Sequence, residues 1–598
     1  MSDVDKWPYL VVLETQKVKS YLFASPFLRE TRGASLLLDL CNRKKIEEKV
    51  LSKINRSSWE IIYLGGGSGR VLFKDDNDAQ SFRKAVLALY RRETATGRVA
   101  VEIVDRGKEM KGKSLPNAVE WGVNRCKKSK LGRTEGVPML AGRWLRPCTS
   151  CGQEPAEVRH EEFGSHFLCQ GCRLKRASVN KLYVEVEVKP GEKRDRVLKT
   201  ESELKEVNGP DFIPDFIYTT LSRYLEGKNR RLQLPQDFNE IGAASNPANY
   251  LGFIYADGNR MGEVLRELGQ LLQGADDDTA IKALRAFSQL VDQTTREAAV
   301  EAVLTVVGTD REMVVSEEVA KKTRASELHS LKAEFLMAGG DDLILAVPAH
   351  CALDVAVCFI ERYQAKTNKL IEECKNKGEL PTDFAPQGLT TSAGVVIAHA
   401  HFPASDLASL AGDLMKIAKK KAAEEFGSGV EIGTLDFLVV SEAVSEPVRE
   451  RRRREYVQTM ANLSGSGLRE VKLTERPYTA AAAVELIEFI RALKQTKVPR
   501  NKLKALYPVL FHHPLQAQFD ALRIKERLRN TGNQEIDKLL SDFFKNLDRF
   551  PFRINPDNSW STHLTEILEL YDFIHKSSDG EASSAITPIL PEVADAEV

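Results

Sequence analysis

Two adjacent aspartates in a glycine-rich turn form the segment with the clearest chemical potential. The apolar runs 335–338 and 343–347 flank Gly339-Gly340-Asp341-Asp342, which predicts a β-hairpin with the two acids at its tip. Neighbouring carboxylates in apolar surroundings repel one another, so both can be ionised only if a cation neutralises them. Mg²⁺ or Mn²⁺ would supply that charge, because both ions prefer carboxylate and phosphate oxygens.

A third carboxylate, Asp257, follows the apolar run 250–255, where a buried strand is expected to give way to a helix. A helix N-terminus offers unpaired N–H groups to a triphosphate. The residues expected to line such a triphosphate site are Gly258, Asn259 and Arg260. If the two central strands pair, Asp257 and Asp341 meet at one end of a sheet, which suits two-metal nucleotidyl transfer. Each motif taken alone is also common as an ordinary turn.

Four of the nine cysteines form two close pairs with two residues inside each pair and seventeen residues between the pairs. These are Cys148, Cys151, Cys169 and Cys172. The spacing predicts a structural zinc ribbon, in which four thiolates complete the tetrahedron and leave no position for catalysis. His160 and His166 lie in the intervening loop and could substitute as ligands, although a four-cysteine site needs neither. A redox disulfide pair fits this spacing poorly.

The composition bounds the class of protein. The chain has 598 residues, 42% hydrophobic and 29% charged, which predicts three to five globular domains. The net charge of +1 provides no global attraction for nucleic acid, so RNA contacts must be local or made by partner chains. The basic stretches 125–133 and 449–454 are either solvated helix faces or local RNA contacts. No apolar run is long enough for a membrane span and the N-terminus lacks a signal-peptide core, which predicts a cytoplasmic protein.

The Gly-Gly-Asp-Asp hairpin, Asp257 and the ribbon together resemble the large Palm-domain subunit of type III CRISPR effector complexes, the Cas-ten family, which is distantly similar to diguanylate cyclases. Segments 391–398, 413–419 and 473–478 also resemble stretches of that family. The resemblance covers nearly the whole chain. It implies an α+β multidomain fold with two ferredoxin-like, nucleotide cyclase-like Palm domains, a zinc ribbon between them and a C-terminal helical bundle.

The resemblance also implies an internal duplication, which the sequence supports. The run 61–73 mirrors 336–345, but its turn lacks the two acids, and Gln16 falls about where the repeat would place Asp257. We therefore expect a degenerate first Palm that binds a second ATP without catalysing. The residues expected to line that acceptor ATP are Gly65, Gly66, Gly67 and Ser68.

The activity that the resemblance implies is synthesis of cyclic 3′-5′ oligoadenylates from ATP when the complex captures target RNA. Asp257 and Asp341 would bind the metal, and Asp342 would share it or act near the attacking hydroxyl. Lys419 would contact the triphosphate, and Ser392 would face the nucleotide. The implied partners are the crRNA-capping subunit, the small subunits, crRNA and target RNA. A stand-alone cyclic-dinucleotide cyclase and a catalytically silent scaffold remain alternatives.

The predicted domain boundaries follow from these motifs. They are a degenerate first Palm at 1–140, a zinc ribbon and helical linker at 141–245, a second Palm at 246–445 with a charged helical insertion near 310–332, a helical domain at 446–577, and a disordered tail at 578–598. Many family members begin with an HD nuclease domain. This chain opens on the first Palm strand and its first histidine is His160, so we expect no DNase activity.

Overall fold

The structure of the chain is a computed structural model. It describes residues 6–111, 113–132, 145–159, 166–180, 183–186, 195–198, 217, 220–221, 230–314, 327–386, 389–427, 431–441, 446–461, 468–496, 498–530, 534–544, 550–557 and 559–575. The predicted disordered tail lies outside these residues. Contacts divide the chain into two units, Met1–Arg451 with Arg476–Ala483, and Arg452–Glu475 with Val484–Val598. Within the described residues, the helices are all too short or too polar to cross a membrane.

The first Palm domain is a four-stranded antiparallel sheet with the order β2-β3-β1-β4, which is the ferredoxin-like arrangement. Its central strand reads Leu-Val-Val-Leu over residues 10–13, and all four side chains are fully buried because helices cover both faces of the sheet. The elements are β1 Tyr9–Gln16, α1 Val18–Leu22, α2 Leu28–Leu40, a π-helical turn Cys41–Lys45, α3 Ile46–Lys49, short 3₁₀ turns at Leu51–Lys53 and Arg56–Ser58, β2 Trp59–Gly65, β3 Ser68–Phe73, α4 Asp76–Thr94, β4 Arg98–Asp105, α5 Arg106–Glu109 and α6 Leu115–Gly132.

A zinc-ribbon-like hairpin follows the first Palm and packs on it through one helix. Its elements are β5 Val158–Arg159, β6 Phe167–Leu168 and α7 Gln170–Asn180. The buried Lys175 donates to the backbone carbonyl of Tyr21 at 2.7 Å, and Arg176 pairs with the buried Glu30. A Cβ at Gly33 would lie 1.9 Å from the Lys175 carbonyl oxygen, so only glycine lets α2 and α7 approach this closely.

The second Palm repeats the ferredoxin-like order and extends it to β13-β14-β10-β15-β16-β19. Strand β16 runs parallel to β15, and β19 adds a short antiparallel edge. The elements are α8 Phe238–Ala243, β10 Tyr250–Gly258, α9 Met261–Leu271, α10 Asp277–Val306, β11 Asp310–Val314, β12 Glu327–Ser330, β13 Glu334–Gly339, β14 Asp342–Pro348, a 3₁₀ turn Ala349–Cys351, α11 Ala352–Asn376, β15 Thr391–His399, α12 Ala404–Phe426, β16 Thr434–Val439, α13 Val448–Glu455 and β19 Tyr478–Thr479.

The two Palms share one continuous apolar core. The cluster of buried side chains that contains Val11 and Phe73 of the first sheet also contains Phe253 and Val396 of the second, together with Leu414 of α12. Ring contacts cross the same boundary, since Phe23 lies 5.9 Å from Phe253 between centroids. The Palms are therefore packed against each other as one body within the first unit.

The strand registers support the internal duplication. Both hairpins close with a two-residue turn, Gly65 pairing with Ser68 and Gly339 with Asp342, and both ladders carry a bulge four to six residues before the turn ends. In the first Palm, Glu14 pairs with Ser68. In the second, the β10–β14 ladder continues to the position next to Asp257. Glu14, rather than Gln16, therefore occupies the place of Asp257.

A five-stranded sheet forms where the sequence predicted helices. The strands β7 Tyr183–Val186, β8 Asp195–Leu198 and β9 Arg230–Gln233 join β11 and β12 in the order β11-β12-β9-β8-β7. The predictions of a helical linker and a charged helical insertion are thus wrong for these described segments. The apolar and charged residues in Tyr-Val-Glu-Val alternate with the period of a strand, which explains why this segment is not helical.

The second unit is mainly helical, as predicted, with a small sheet of order β17-β18-β21-β20. The predicted apolar stripe of its first long helix is buried, with Leu486, Ile487, Phe489, Ile490 and Leu493 all at most 5% exposed. The elements are β17 Val457–Ala461, β18 Leu468–Lys472, α14 Ala480–Gln495, α15 Arg500–Lys504, α16 Leu506–His512, α17 Pro514–Asn530, α18 Gln534–Phe544, β20 Arg553–Ile554, β21 Trp560–Ser561 and α19 Leu564–Leu570.

Candidate active site

The three predicted aspartates meet at one edge of the second Palm sheet. Strands β10 and β14 pair antiparallel up to Ala256 opposite Leu343, so Asp257 and Asp342 leave the ladder side by side. Asp341 occupies the hairpin turn next to Gly258, where a Cβ would lie 3.0 Å from the Asp341 Cβ. The sequence prediction that Asp257 and Asp341 lie together is therefore in agreement with this geometry.

The glycines of the turn allow this arrangement. Gly340 has φ +62°, a left-handed conformation that strains residues with a side chain. Gly339 faces the first Palm, and a Cβ there would lie 3.1 Å from the Cα of Gly66. Gly340 thus permits the tight turn, and Gly339 permits the close approach of the two Palms.

The electrostatics of the three carboxylates call for a cation. Burial, followed by the charges of Asp257 and Asp342, raises the pKa of Asp341 well above its ordinary value. Burial and the charge of Asp257 raise the pKa of Asp342 to about 7. One positive charge partly compensates the acids, because the ammonium of Lys419 lies 2.5 Å from Oδ2 of Asp257. One lysine at this distance does not offset three crowded acids.

A divalent cation fits this donor set, because all its ligands are hard oxygens. Ions of this kind can take part of their coordination from substrate phosphates, as Mg²⁺ commonly does.

Two residues that the sequence did not single out complete the site. The hydroxyl of Tyr255 donates to Oδ1 of Asp342 at 3.2 Å. Lys19, from α1 of the first Palm, places its ammonium 4.1 Å from the centroid of the Tyr255 ring. It passes over α12 at Gly412, where a Cβ would lie 2.5 Å from its Nζ. Burial, followed by the charge of Lys416, lowers the pKa of Lys19.

Lys19 shows why the sequence analysis was incomplete. The duplication predicted two Palms, but no spacing in the chain indicates which first-Palm side chain reaches across to the second. Gly412 is the one local signal, since a glycine interrupts the otherwise apolar buried face of α12 opposite Tyr255. The site is therefore built from both Palms, with its acids on one and a cation on the other.

Ser392 and Asn259 lie behind the site rather than facing a nucleotide. Ser392 is fully buried, and its hydroxyl bonds to Oδ1 of Asn259 at 2.7 Å and to the hydroxyl of Thr434 at 2.8 Å. Asn259 in turn donates to Thr390 at 2.9 Å. The expectation that Ser392 faces the nucleotide is thus not met. Its satisfied network instead fixes the end of β10 where Asp257 emerges.

Arg260 is also engaged within the protein. It has φ +53° at the start of α9, and its guanidinium lies 3.2 Å from the centroid of Phe426. It pairs with Glu431 at 2.8 Å and with Glu263 at 2.5 Å. Burial raises the pKa of Glu431 to about 7 despite this arginine. A triphosphate would have to compete with two carboxylates for Arg260, so Lys419 and Lys19 are better placed as phosphate ligands.

The hairpin of the first Palm touches the Gly-Gly-Asp-Asp hairpin through its glycines. Gly66 and Gly67 have φ +52° and +79°, and a Cβ at Gly66 would lie 2.6 Å from the backbone nitrogen of Gly340. The acid of this Palm, Glu14, lies 3.9 Å from Arg70, which also donates to the Ser68 hydroxyl at 3.3 Å. An arginine thus balances the single carboxylate at the position where the second Palm gathers three acids.

The four cysteines form a second candidate metal centre. Their sulfur atoms all lie within 4.8 Å of one another, and Sγ of Cys151 is 3.8 Å from Sγ of Cys169. Four sulfur donors at this spacing fit tetrahedral Zn²⁺. His160 lies outside the described residues, and the ring of His166 lies near that of Phe27, with centroids 6.3 Å apart and the planes tilted by 39°. The four cysteines therefore suffice as a ligand set.

Comparison with known proteins agrees with the site. Residues 250–425 match the family described as Cas10/Cmr2, second palm domain. No curated protein matches the chain. Among solved structures, the chain is similar to one described as the Csm1-Csm4 cassette in complex with cA4, with 13% identity over 86% of this chain and 64% of that one, and a TM-score of 0.46.

Two further solved structures give similar values. One is the Csm1-Csm4 cassette in complex with pppApA, with 14% identity over 95% of this chain and 69% of that one, and a TM-score of 0.49. The other is Csm1 in T. onnurineus, with 13% identity over 95% and 69% and a TM-score of 0.46. The chain thus spans only about two thirds of the length of these relatives.

The family match covers the strand that carries Asp257, the Gly-Gly-Asp-Asp hairpin and the helix that carries Lys419. It confirms the resemblance drawn from the sequence, and it does so over the segment that contains the three converging aspartates. Residues 250–425 therefore match a second palm domain of the kind described for Cas10/Cmr2.

Proposed function

We propose that this protein is the large subunit of a type III CRISPR effector complex, and that its second Palm converts ATP into cyclic 3′-5′ oligoadenylates when the complex binds target RNA. The observation that carries the proposal is the convergence of Asp257, Asp341 and Asp342 at the hairpin of the second Palm, which is in contact with the acid-poor hairpin of the first Palm. Such a pair of Palms can hold a donor and an acceptor nucleotide together, which is the main requirement for joining them.

The residues of the site divide the work. Mg²⁺ or Mn²⁺ held by the three aspartates would activate the acceptor 3′-hydroxyl and stabilise the charge that develops on the departing pyrophosphate. Lys419 and Lys19 are placed to neutralise the donor triphosphate, which releases Lys419 from Asp257. The 3′-oxygen then bonds to the α-phosphorus, the bond to pyrophosphate breaks, and the hydroxyl proton is lost to solvent.

The first Palm is proposed to hold the acceptor ATP. Its turn residues Gly65 to Ser68 carry no acid, and a Cβ at Gly67 would meet nothing closer than Thr15 at 3.7 Å, so the backbone there can be approached closely by a phosphate or ribose. Arg70 beside Ser68 offers the cation that a nucleotide without its own metal site would need. This Palm would thus bind a nucleotide without activating its triphosphate.

The wider setting comes from the family. The crRNA-capping subunit, the small subunits, crRNA and target RNA are the proposed partners, and the net charge of +1 is consistent with RNA being held mainly by partner chains. Zn²⁺ is proposed for the four cysteines as a structural ion, and adenine as the base follows from the family alone.

The test is to incubate the protein, alone and assembled with its partner subunits and target RNA, with labelled ATP and Mg²⁺ or Mn²⁺, and to resolve the products. Cyclic 3′-5′ oligoadenylates should form, depend on target RNA, and disappear in Asp341→Ala/Asp342→Ala. The matched control is Glu372→Ala/Glu373→Ala, an adjacent acid pair on α11 whose side chains are 66% and 42% exposed.

The outcomes separate the alternatives. Product that forms without target RNA, and that is a cyclic dinucleotide, would favour a stand-alone cyclase. Absence of product from the assembled complex with either metal would leave the scaffold reading in front. Loss of product in both double variants would show that the assay reports stability rather than chemistry.

A further inference from the structure

One buried acid holds the catalytic turn from behind. Asp292, on the long helix α10, is 2% exposed, and its Oδ1 accepts the backbone N–H of Gly340 at 2.9 Å. One helical turn further on, the hydroxyl of Thr295 donates to the Gly340 carbonyl at 2.7 Å. Both backbone polar groups of the left-handed residue in the turn are therefore fixed by the same helix.

The same carboxylate joins the turn to the first Palm. Asp292 also accepts from Arg43 of the first Palm at 2.7 Å and from Arg296 of its own helix at 2.6 Å. A carboxylate this deeply buried is stable only when paired and hydrogen-bonded, so removing one partner leaves the others uncompensated. The contact between Arg43 and Asp292 is consequently a fixed point of the Palm interface.

Arg43 lies beneath the first-Palm hairpin as well. A Cβ at Gly65 would lie 2.9 Å from Nη1 of Arg43 and 2.7 Å from the Tyr63 hydroxyl. Arg43 belongs to the π-helical turn Cys41–Lys45, and it also pairs with Asp39 at 2.6 Å. Wide turns of this kind occur mostly where a helix has a functional constraint. Contacts thus run from the Gly65 hairpin through Arg43 and Asp292 to Gly340.

We propose that Asp292 and Arg43 are positioning residues for nucleotidyl transfer. They hold the turn of Gly340 so that the carboxylates of Asp341 and Asp342 keep their orientation. The inference rests on the proposed function and deepens it. The need is physical, because a Gly-Gly turn is soft and the two acids behind it repel each other. The contacts of Asp292 with Arg43 and with Gly340, which we call the clamp, supply the rigidity that a metal site requires from the groups around its ligands.

The interface provides a matched control on the same helix. Asp277 begins α10 and pairs with Arg106 of the first Palm through two bonds of 2.6 and 2.8 Å. Both side chains of this pair are buried, with exposed fractions of 6% and 2%. The pair has the chemistry, burial and interface of Asp292 with Arg43, but none of its recorded contacts is to the catalytic turn. Variants of the two pairs should cost similar stability and differ in catalysis.

The experiment compares Asp292→Asn, Asp292→Ala and Arg43→Met with Asp277→Asn, Asp277→Ala and Arg106→Met in the assembled complex. We expect Asp292→Ala to lower kcat by about 10- to 100-fold with the KM for ATP within about twofold. Asp292→Asn keeps an acceptor for the Gly340 N–H and should recover part of that loss. The Asp277 and Arg106 variants should leave kcat within about twofold at a comparable fall in Tm.

A second readout separates this inference from the proposed function. The affinity of the full chain for Mn²⁺, measured by electron paramagnetic resonance, should fall by about 10-fold in Asp292→Ala and remain unchanged in Asp277→Ala. If the wild type binds Mn²⁺ but makes no product, the proposed function fails while the binding comparison still decides the inference. A wild type that neither binds Mn²⁺ nor makes product overturns both.

The inference is overturned if the two sets of variants change kcat and Mn²⁺ binding equally. Should Asp292→Ala fail to fold, the Arg43→Met and Arg106→Met pair carries the same comparison from the first Palm. A loss of kcat in Arg43→Met that Arg106→Met does not share supports the clamp, and equal losses overturn it.

Discussion

The two hairpins of the Palm pair have the same strand pairing but carry different side chains at the tip. Each sits in a sheet of order 2-3-1-4 within its domain, closes with a two-residue turn and carries a bulge at the corresponding place. The acids of the second Palm have no full counterpart in the first, because Glu14, Gly67 and Ser68 stand where the second Palm has Asp257, Asp341 and Asp342. The fold tolerates either set, so the scaffold alone does not determine the activity.

The charge balance explains what the difference means. In the first Palm, Arg70 lies 3.9 Å from the single acid Glu14. In the second, three acids face Lys419 and the more distant Lys19, and crowding raises the pKa of Asp341 and Asp342. The acid of the first site is compensated within the protein, whereas the second site keeps an excess of acids that the proposed Mg²⁺ or Mn²⁺ would neutralise. The proposed metal site therefore depends on this excess of acids.

The largest effect should come from the equivalent acids of the two Palms. Asp257→Asn keeps the size of the side chain and removes a metal ligand, and we expect activity to fall by at least about 1,000-fold, or about 4 kcal/mol of transition-state stabilisation. Glu14→Gln makes the same change at the same place in the first Palm and should alter activity by less than about 10-fold. Product formation from labelled ATP measures both.

Equal losses in these two variants would break the comparison, since they would mean that Glu14 serves the chemistry as Asp257 does. Mn²⁺ binding checks the cause independently of turnover, because only Asp257→Asn should weaken it.

The second-largest effect should come from Lys19, the cation that the first Palm contributes to the site. Lys19→Met keeps an apolar stem over Tyr255 and removes the charge, so we expect the KM for ATP to rise by about 10-fold, as loss of a charged partner worth about 1.4 kcal/mol would produce. Lys420→Met is the control, because that side chain is 61% exposed and its ion pair is with Glu424 on the same helix. Steady-state kinetics with varied ATP distinguishes the two variants, and an equal rise for Lys420→Met would remove the case for Lys19.

The contact between the hairpin tips predicts a smaller effect that two neighbouring glycines can isolate. Gly66→Ala and Gly67→Ala both place a side chain at positive φ, which costs about 1 kcal/mol of stability in each. Only Gly66→Ala also meets the second Palm, 2.6 Å from the Gly340 nitrogen, whereas a Cβ at Gly67 meets nothing closer than 3.7 Å. We expect about 10-fold lower kcat for Gly66→Ala alone.

Thermal unfolding and kcat measured together test this pair. A kcat that falls in Gly66→Ala and not in Gly67→Ala, measured where both variants are fully folded, would show that the hairpin contact affects the turn of Gly340. A lower Tm for Gly66→Ala with equal kcat would show that it is only a packing contact.

The smallest effect concerns the arginine that compensates Glu14. The Glu14 and Arg70 side chains are 21% and 15% exposed and 3.9 Å apart, so Arg70→Met should change the free energy of unfolding by less than about 1 kcal/mol. It should not create a Mn²⁺ site, because one carboxylate remains where the second Palm has three. Calorimetric Mn²⁺ titration checks this, and an additional bound ion in Arg70→Met would contradict the charge argument.

Much of this site could be predicted because its signals are local. The Gly-Gly-Asp-Asp turn, the strand that ends at Asp257 and the cysteine spacing each lie within a short stretch of sequence, and the ladders bring the first two together as antiparallel pairing requires. The choice of Gln16 in place of Glu14 was an error of two positions, which is the period of a strand and therefore left the face unchanged.

The remainder depends on contacts between distant segments. Lys19 reaches Tyr255 across 236 residues of chain, and Asp292 meets Arg43 across 249. The family resemblance implied that Ser392 faces the nucleotide, and Ser392 does lie opposite Asp257 in the ladder, but its hydroxyl is bonded to Asn259 and Thr434. A sequence pattern gives the strand and the register of such a residue, whereas only the packed structure shows which partner satisfies it.

The most direct test of the proposed metal site is the location of bound metal. Crystals of the chain soaked with Mn²⁺ and a non-hydrolysable ATP analogue can be measured at the manganese absorption edge. We expect anomalous peaks among Asp257, Asp341 and Asp342 and none beside Glu14 and Ser68. Peaks of equal height at both hairpins, or no peak at the three aspartates with the analogue bound, would contradict it.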